Sequence, residues 1–257
     1  NLTSAPILLT DSTLLTTDTK SAIQKLAPAN AIILGSTEKV GSTVETELQG
    51  LNIKNIERIS WTTPEQLSQS IAQRILDIDS NSIIIVNSTS SVDSAIASVY
   101  GAKTRTPIIL NNQSTISPEL QSLLSSYTNL SNIYIIGDTT KISSTVETTL
   151  KQYADVERIT GTTSEQRNIN FIEKFNFQNS LNTVTRSNSS YQLFAAAEMA
   201  MFKEGTLLIM DSTEFSPNLS SFFSSYGGAN VIFYGDSSQI SANAYNSEDQ
   251  RIGSMWP

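Results

Sequence analysis

The sequence contains neither cysteine nor histidine among its 257 residues. These absences exclude disulfides, zinc sites with nitrogen or sulfur ligands, cysteine nucleophiles and every catalytic triad that uses histidine. Charged residues are scarce, at 16%, and aromatic residues make up 7%. Apolar runs such as residues 83–86 are far shorter than the roughly 18 residues of a membrane helix, and they are typical of buried strands.

Polarity comes instead from hydroxyl groups, since serine and threonine together number 67. Hydrophobic residues make up 39%, enough for buried cores, and the length suits two or three compact units. The net charge of −8 argues against a general nucleic-acid binder, because neutralising phosphates requires a basic surface. A local cationic pocket remains compatible with this composition.

The chain is built from an internal repeat. Residues 42–48 reappear as 144–150, and the strand-like segment 31–35 reappears as 133–137 and again as 231–235. The period is about the size of a small domain, much longer than a solenoid repeat. We therefore expect a partial first repeat at 1–57, a second at 58–157, a third at 158–250 and a tail at 251–257.

In the second copy, a predicted strand and helix precede the strand that begins with Pro107. The first copy has no equivalent segment before Pro6. We expect residues 6–9 to form a central strand, because the sister segment 107–110 follows a strand and a helix. Residues before Asn1, or a companion chain, would supply the missing half-repeat, since an unpaired strand edge and a bare apolar face are hazards for a protein in water.

Within the second copy, apolar residues alternate between helical spacing and short continuous runs. Ser117 and Pro118 open one predicted helix as N-cap and first residue, and Ser144 with Glu147 forms a predicted capping box for another. Short apolar strands between amphipathic helices indicate a parallel sheet with helices on both faces. The predicted fold class is α/β, with three similar doubly wound parallel-sheet units.

Three glycines, Gly35, Gly137 and Gly235, follow a predicted strand and precede a helix. A glycine there allows a ligand to approach the backbone, and it also suits a tight turn that only glycine can make. Asp138 and Asp236 follow two of these glycines, where an aspartate more often stabilises a turn than binds a metal. No cofactor is expected.

Arginine recurs at one position of the repeat, as Arg58, Arg158 and Arg251. Its planar guanidinium suits phosphate or carboxylate groups, which makes these residues candidate contacts for an anionic ligand. The alternative is a structural ion pair at the repeat junction, with Glu57 and Glu157 or across copies.

These segments together resemble the clostridial cell-wall-binding repeat type 2 family. The resemblance rests on residues 5–10, 31–35, 40–48 and on the Arg-Ile-Ser and Arg-Ile-Thr-Gly stretches at 58–60 and 158–161. It also includes Val92-Asp93-Ser94-Ala95, and it extends over nearly the whole chain. The third copy departs from it, with Tyr191-Gln192-Leu193 where the second has Val92-Asp93-Ser94.

The resemblance implies three α/β units in a pseudo-threefold arrangement on a secreted protein of the Gram-positive cell wall or S-layer. It implies a non-catalytic anchoring module that binds an anionic cell-wall polysaccharide non-covalently. The repeated arginines and glycines are the candidate contacts for that ligand. The alternative function is that of a surface adhesin or S-layer structural domain with a protein ligand. No nucleic acid and no membrane span are expected.

Overall fold

The computed structural model describes residues 5–75, 80–177, 181–225 and 230–244. Helices and strands alternate throughout this part of the chain, and every strand pair in it is parallel. The strands form three separate sheets, which confirms the predicted α/β class. The chain divides into two compact units, Asn1–Ser70 and Ile71–Pro257, which are described in turn.

The first unit contains a two-stranded parallel sheet with its own small core. Its elements are helix α1 (Thr17–Leu26), strand β1 (Asn30–Leu34), helix α2 (Ser42–Gly50) and strand β2 (Asn55–Ile59). Ile33 of β1 lies opposite Arg58 of β2 in the ladder. Apolar residues from both helices and from β1 bury together, among them Ile23, Ile33, Val44 and Leu48.

The second repeat begins with a helix that starts in the first unit and continues into the second. Its elements are α3 (Pro64–Ile75), β3 (Ser82–Asn87), α4 (Ser91–Thr104), β4 (Ile108–Asn111), α5 (Pro118–Ser126), β5 (Asn132–Ile136), α6 (Ser144–Leu150) and β6 (Asp155–Ile159). The strand order β4-β3-β5-β6 places β3 inside the sheet. Alternate β3 residues belong to different cores, Ile83 and Ile85 to one and Ile84 and Val86 to the other, as a doubly wound sheet requires.

Of the two helix starts predicted from the sequence, that of α5 is confirmed and that of α6 is shifted by one residue. Ser117 caps α5 by accepting a hydrogen bond from the backbone N–H of Leu120, as predicted. The predicted capping box of Ser144 with Glu147 is wrong, because Ser143 is the N-cap and accepts from the N–H of Val146. The shift of one residue frees the Glu147 carboxylate for a different role.

The third repeat follows the same plan. Its elements are α7 (Ser164–Lys174), β7 (Leu181–Arg186), α8 (Ser190–Phe202), β8 (Thr206–Met210), α9 (Pro217–Ser225) and β9 (Asn230–Tyr234). The order β8-β7-β9 corresponds strand for strand to β4-β3-β5. Phe222 and Phe223 of α9 are buried, as expected for core residues. The expected tail at 251–257 lies outside the described residues.

The predicted strand at residues 6–9 is absent from the structure. Ile7 and Leu9 are exposed at 63% and 65%, and the segment makes no strand ladder. The strand order of the second repeat explains this difference. There the equivalent strand, β4, pairs with β3 and does not pair with β5, the counterpart of β1. No described strand of the first unit takes the place of β3, so residues 6–9 have no ladder to join.

The second and third repeats share a hydrophobic core. Helices α4 and α8 pack against each other between the two sheets, with several alanines at the contact. Small side chains let two helix backbones approach closely. Aromatic rings extend this core, since Tyr100 lies 5.6 Å from Phe171 and 4.2 Å from Phe175 between ring centroids.

One buried ion pair crosses the junction between these repeats. Asp93, in the first turn of α4, is fully buried, and its Oδ1 lies 2.5 Å from Nε of Arg167 on α7. Ser90 donates a hydrogen bond of 2.6 Å to the other carboxylate oxygen. The carboxylate thus receives one charged and one neutral donor, which offsets the cost of removing it from water.

We predict that Asp93→Ala lowers the free energy of unfolding by about 3–5 kcal/mol, because it leaves the buried Arg167 guanidinium without its partner. Urea unfolding monitored by circular dichroism measures the loss. The matched control is Lys174→Ala at the other end of α7, where the pair with Glu157 is largely exposed. Its cost should stay within about 1 kcal/mol. Equal losses in the two variants would contradict the assigned role of the pair.

Candidate functional site at the carboxyl ends of the strands

Each sheet ends in a glycine-containing turn at its carboxyl edge. Gly35, Gly137 and Gly235 directly follow β1, β5 and β9, with φ of +145°, +114° and +157°. Residues with a side chain rarely adopt these angles, so the turns require glycine. The N–H of Gly35 donates to the carbonyl of Ile59, and that of Gly137 to the carbonyl of Ile159, both at 2.9 Å. The two turns are therefore extensions of the strand ladders.

The structure brings each described arginine of the repeat to one of these glycines. Arg58 donates from Nη1 to the carbonyls of Gly35 and Val40, both at 2.8 Å, and from Nη2 to Glu45 at 3.0 Å. The arginine thus holds the strand end, the following turn and α2 together. Its side chain is 14% exposed, so only a small part of the guanidinium reaches solvent.

The second repeat has the same arrangement. Arg158 donates from Nη1 to the carbonyl of Gly137 at 2.8 Å and from Nε to Glu147 of α6 at 2.9 Å. Hydrogen bonds from Lys151 and then from Arg158 hold the pKa of Glu147 below its ordinary value. Arg158 therefore forms an ion pair within its own repeat. The pairing of Arg158 with Glu157 that the sequence suggested as an alternative is wrong, since Glu157 binds Lys174.

The third candidate set is only partly described. Arg251 lies outside the described residues. Gly235 is present, and its neighbour Asp236 accepts hydrogen bonds from the N–H and the hydroxyl of Ser238. Asp138 makes the same contacts with Thr140, so both aspartates stabilise turns, as expected. These hydrogen bonds hold the pKa of both carboxyls below the ordinary value.

The most buried polar contact at this edge was not predicted from the sequence. Asp93 lies near the turn of Gly137, with its Oδ2 3.8 Å from the position that a Cβ of this glycine would take. Arg167 arrives there from the next repeat, 74 positions further along the chain. Nothing in the residues around Arg167 predicts a partner as distant in sequence as Asp93. The carboxyl edge of the second sheet is thus closed by a cation of the protein itself.

Comparisons with known proteins bear on this site. Residues 58–147, which contain the first arginine and most of the second repeat, match the sequence model of the family Cell wall binding domain 2 (CWB2). The match extends over most of the second repeat. The resemblance seen in the sequence is therefore confirmed, and a CWB2 domain implies association with the cell wall.

Curated relatives match nearly the whole chain. It is 25% identical over 242 residues to the N-acetylmuramoyl-L-alanine amidase LytC of Bacillus subtilis (strain 168), covering 94% of this chain and 47% of the relative. It is 26% identical over 243 residues to the Amidase enhancer of the same organism, covering 95% and 33% respectively. The chain thus spans half or less of the length of these relatives.

Solved structures show the same fold. Cwp6 from Clostridium difficile superposes with a TM-score of 0.79 at 25% identity, covering 91% of this chain and 38% of that one. Cwp8 from the same organism superposes with a TM-score of 0.80 at 20% identity, covering 96% and 42%. Among the described residues, no helix is long and apolar enough to cross a membrane.

A second carboxylate site lies at the edge of the third sheet. Glu165 of α7 is buried, its backbone N–H donates to Asp211 at 2.9 Å, and its carboxylate accepts a hydrogen bond from the hydroxyl of Ser216. Burial is the main reason that the pKa of Glu165 is raised, and the nearby charge of Asp211 acts in the same direction. Folding therefore favours the protonated form of Glu165.

We predict that Glu165→Gln becomes progressively more stabilising, relative to the unchanged protein, as the pH rises from 4 to 7. The raised pKa means that ionising Glu165 above its unfolded-state pKa costs stability, and glutamine removes that cost while it can still bond to Ser216. Thermal unfolding at a series of pH values tests this.

The control is Glu119→Gln at the start of α5. Hydrogen bonds from its own backbone N–H and then from Ser117 lower the pKa of Glu119, so its contribution to stability is present at pH 7 and lost as the pH falls. The two variants should therefore change in opposite directions with pH. Parallel pH profiles would show that Glu165 is not the group that titrates.

Proposed function

We propose that this chain is a non-catalytic anchoring module of a bacterial surface protein, which binds an anionic cell-wall polysaccharide non-covalently. The match of residues 58–147 to the CWB2 family is the observation that carries this proposal. We also propose a secreted location at the cell wall or S-layer. The relatives named for an amidase and its enhancer are consistent with attachment to a wall, and their own activities are not assigned to this chain.

The proposed binding surfaces are the carboxyl edges of the individual sheets, where ligands commonly bind in open α/β folds. The candidate contacts are Arg58 with Gly35 in the first unit, and Arg158, Gly137 and Gly235 in the second. Arg251 is proposed from the sequence alone. In the two described sets the arginine fixes the glycine turn, so its first contribution is to preform the surface. The side chains of Arg58 and Arg158 are 14% and 12% exposed, and their positive charge favours an anionic polymer at the edge, although the chain as a whole carries a charge of −8.

Retention on purified walls tests the function directly. We expect the chain to sediment with native walls, to remain in solution when the secondary polysaccharides have been stripped, and to be released as salt is raised, because charge interactions are screened. Equal retention on native and stripped walls would contradict a polysaccharide ligand.

The alternative function, a structural or adhesive domain with a protein ligand, is favoured by one observation. The first unit exposes large apolar side chains, with Ile7, Leu9 and Ile32 all more than half exposed. Exposed apolar groups of this kind often mark a protein interface, which another surface-layer protein or a companion chain would cover. Retention on stripped walls that still carry protein, lost after protease treatment, would favour this alternative.

We predict that Arg158→Ala weakens wall retention more than Lys103→Ala, because only the arginine shapes a carboxyl-edge turn. The same change should lower the melting temperature, since it removes the partner of Glu147. Wall sedimentation and thermal unfolding of both variants provide the two measurements. A lower melting temperature with unchanged retention would give Arg158 a structural role alone.

A further inference from the structure

The carboxyl edge of the third sheet differs from that of the second at the end of its central strand. In the second repeat β3 ends at Asn87, whose amide donates to the carbonyl of Lys141 at 2.6 Å and so ties the strand to the turn after Gly137. In the third repeat the equivalent strand ends at Arg186. Its Nε is buried and donates no hydrogen bond to any described residue. No ion pair joins Arg186 to the described part of the chain.

Two hydrogen-bond acceptors at the same edge also lack a partner in the described part of the chain, the side-chain oxygens of Gln192 and Gln239. Gln192 takes the place of Asp93 in the repeat, and Gln239 takes the place of Lys141. The side-chain oxygen of each is buried and receives no hydrogen bond from the described residues. A buried polar atom without a partner costs free energy, so such atoms require an explanation. Here the three unpartnered atoms, one donor and two acceptors, belong to residues at the carboxyl edge of the third sheet.

The topology brings these groups together. Thr185 of β7 lies opposite Tyr234 of β9, so Arg186 and Gly235 follow side by side at the end of the ladder. The Cβ of Gln239 lies 3.5 Å from the position that a Cβ of Gly235 would take. Gln192 lies in the first turn of α8, which begins four residues after β7 ends. This edge is also the point where the strand order reverses, the usual ligand position in open α/β sheets.

An exposed aromatic residue lies next to Gln192 in the sequence. Tyr191 precedes Gln192 in the first turn of α8, and it is 77% exposed. A tyrosine this exposed gains little from the fold, and its ring offers an apolar face with a polar tip. The second repeat has the smaller Val92 at this position. Its edge is also closed by the Arg167 side chain, which pairs with Asp93. Only the third repeat combines a free cation, free acceptors and an exposed ring in the described residues.

We propose that this edge of the third sheet is a subsite for one anionic sugar unit of the bound polymer. Arg186 donates to the acidic group, Gln192 and Gln239 accept from sugar hydroxyls, and Tyr191 packs against the ring face. The assignment rests on the proposed function, since the wall polysaccharide supplies such a unit. Asp236 adjoins the subsite, but its carboxylate is exposed and bonded within its own turn to Ser238. The acidic group is a phosphodiester or a carboxylate.

Two pairs of matched variants of the full chain test the subsite. Arg186→Gln removes the cation, and Arg105→Gln removes an exposed arginine at the end of α4. Tyr191→Ala removes the exposed ring, and Phe202→Ala removes a ring exposed at 79% at the far end of the same helix. We expect the affinity for native walls to fall at least about tenfold in Arg186→Gln, a loss of about 1.4 kcal/mol, and severalfold in Tyr191→Ala. Both controls should stay within about twofold.

A small-molecule titration separates failure of the subsite from failure of the proposed function. Glycerol 1-phosphate and glucuronate, added to the isotope-labelled chain, should shift the backbone amide signals of residues 186–192, and Arg186→Gln should abolish the shifts. The stronger of the two probes identifies the acidic group. If walls bind but Arg186→Gln binds them equally, the subsite is wrong and the anchoring function stands. If neither probe shifts these signals, the subsite is overturned whether or not walls are bound.

Discussion

The buried ion pair between Asp93 and Arg167 determines how the second and third repeats fit together. A carboxylate with no exposed surface is tolerated only when its charge is compensated, and the compensation comes from the helix that opens the next repeat. Helix α7 must therefore sit with its first turn over the carboxyl edge of the second sheet. In that position Phe171 and Phe175 contact Tyr100, and α8 continues the same packing along α4. One polar contact thus orients an interface whose bulk is apolar.

The same pair also makes the carboxyl edges of the two repeats different. The second sheet has its carboxyl edge filled by a protein cation, whereas the third has glutamine at the position of the aspartate and arginine at the end of its central strand. Repetition of a fold need not repeat the contacts at a sheet edge. Three replacements, at the positions of Asn87, Asp93 and Lys141, give the third sheet an edge with one unmatched donor and two unmatched acceptors among the described residues. The first and second repeats share an arginine that binds the glycine turn, and in both repeats this arginine chiefly supports the turn.

Much of the architecture could be predicted from the sequence because it is local. Apolar spacing indicated most strands and helices, the recurring glycines marked the strand ends, and Ser117 with Pro118 located a helix start within the chain. The errors arose where the answer depends on partners distant in sequence. The arginines pair with Glu45 and Glu147 because those helices return their glutamates to the strand ends, which residue spacing does not show. Residues 6–9 have the composition of a strand, but a strand forms only against a neighbour.

An acidic chain that binds an anionic polymer must keep its positive groups from being cancelled by its own carboxylates. Several carboxylates here are already committed, Glu45 and Glu147 to arginines and Asp236 to the amide and hydroxyl of its turn. In the first and second repeats the proposed contacts offer little binding energy, because Arg58 and Arg158 are mostly covered. Several weak subsites on one module, bound to successive units of the same polymer, would act with a high effective concentration and give firm attachment without any single strong site. A repeated fold suits this purpose, because it presents similar edges while allowing one of them to become the stronger contact.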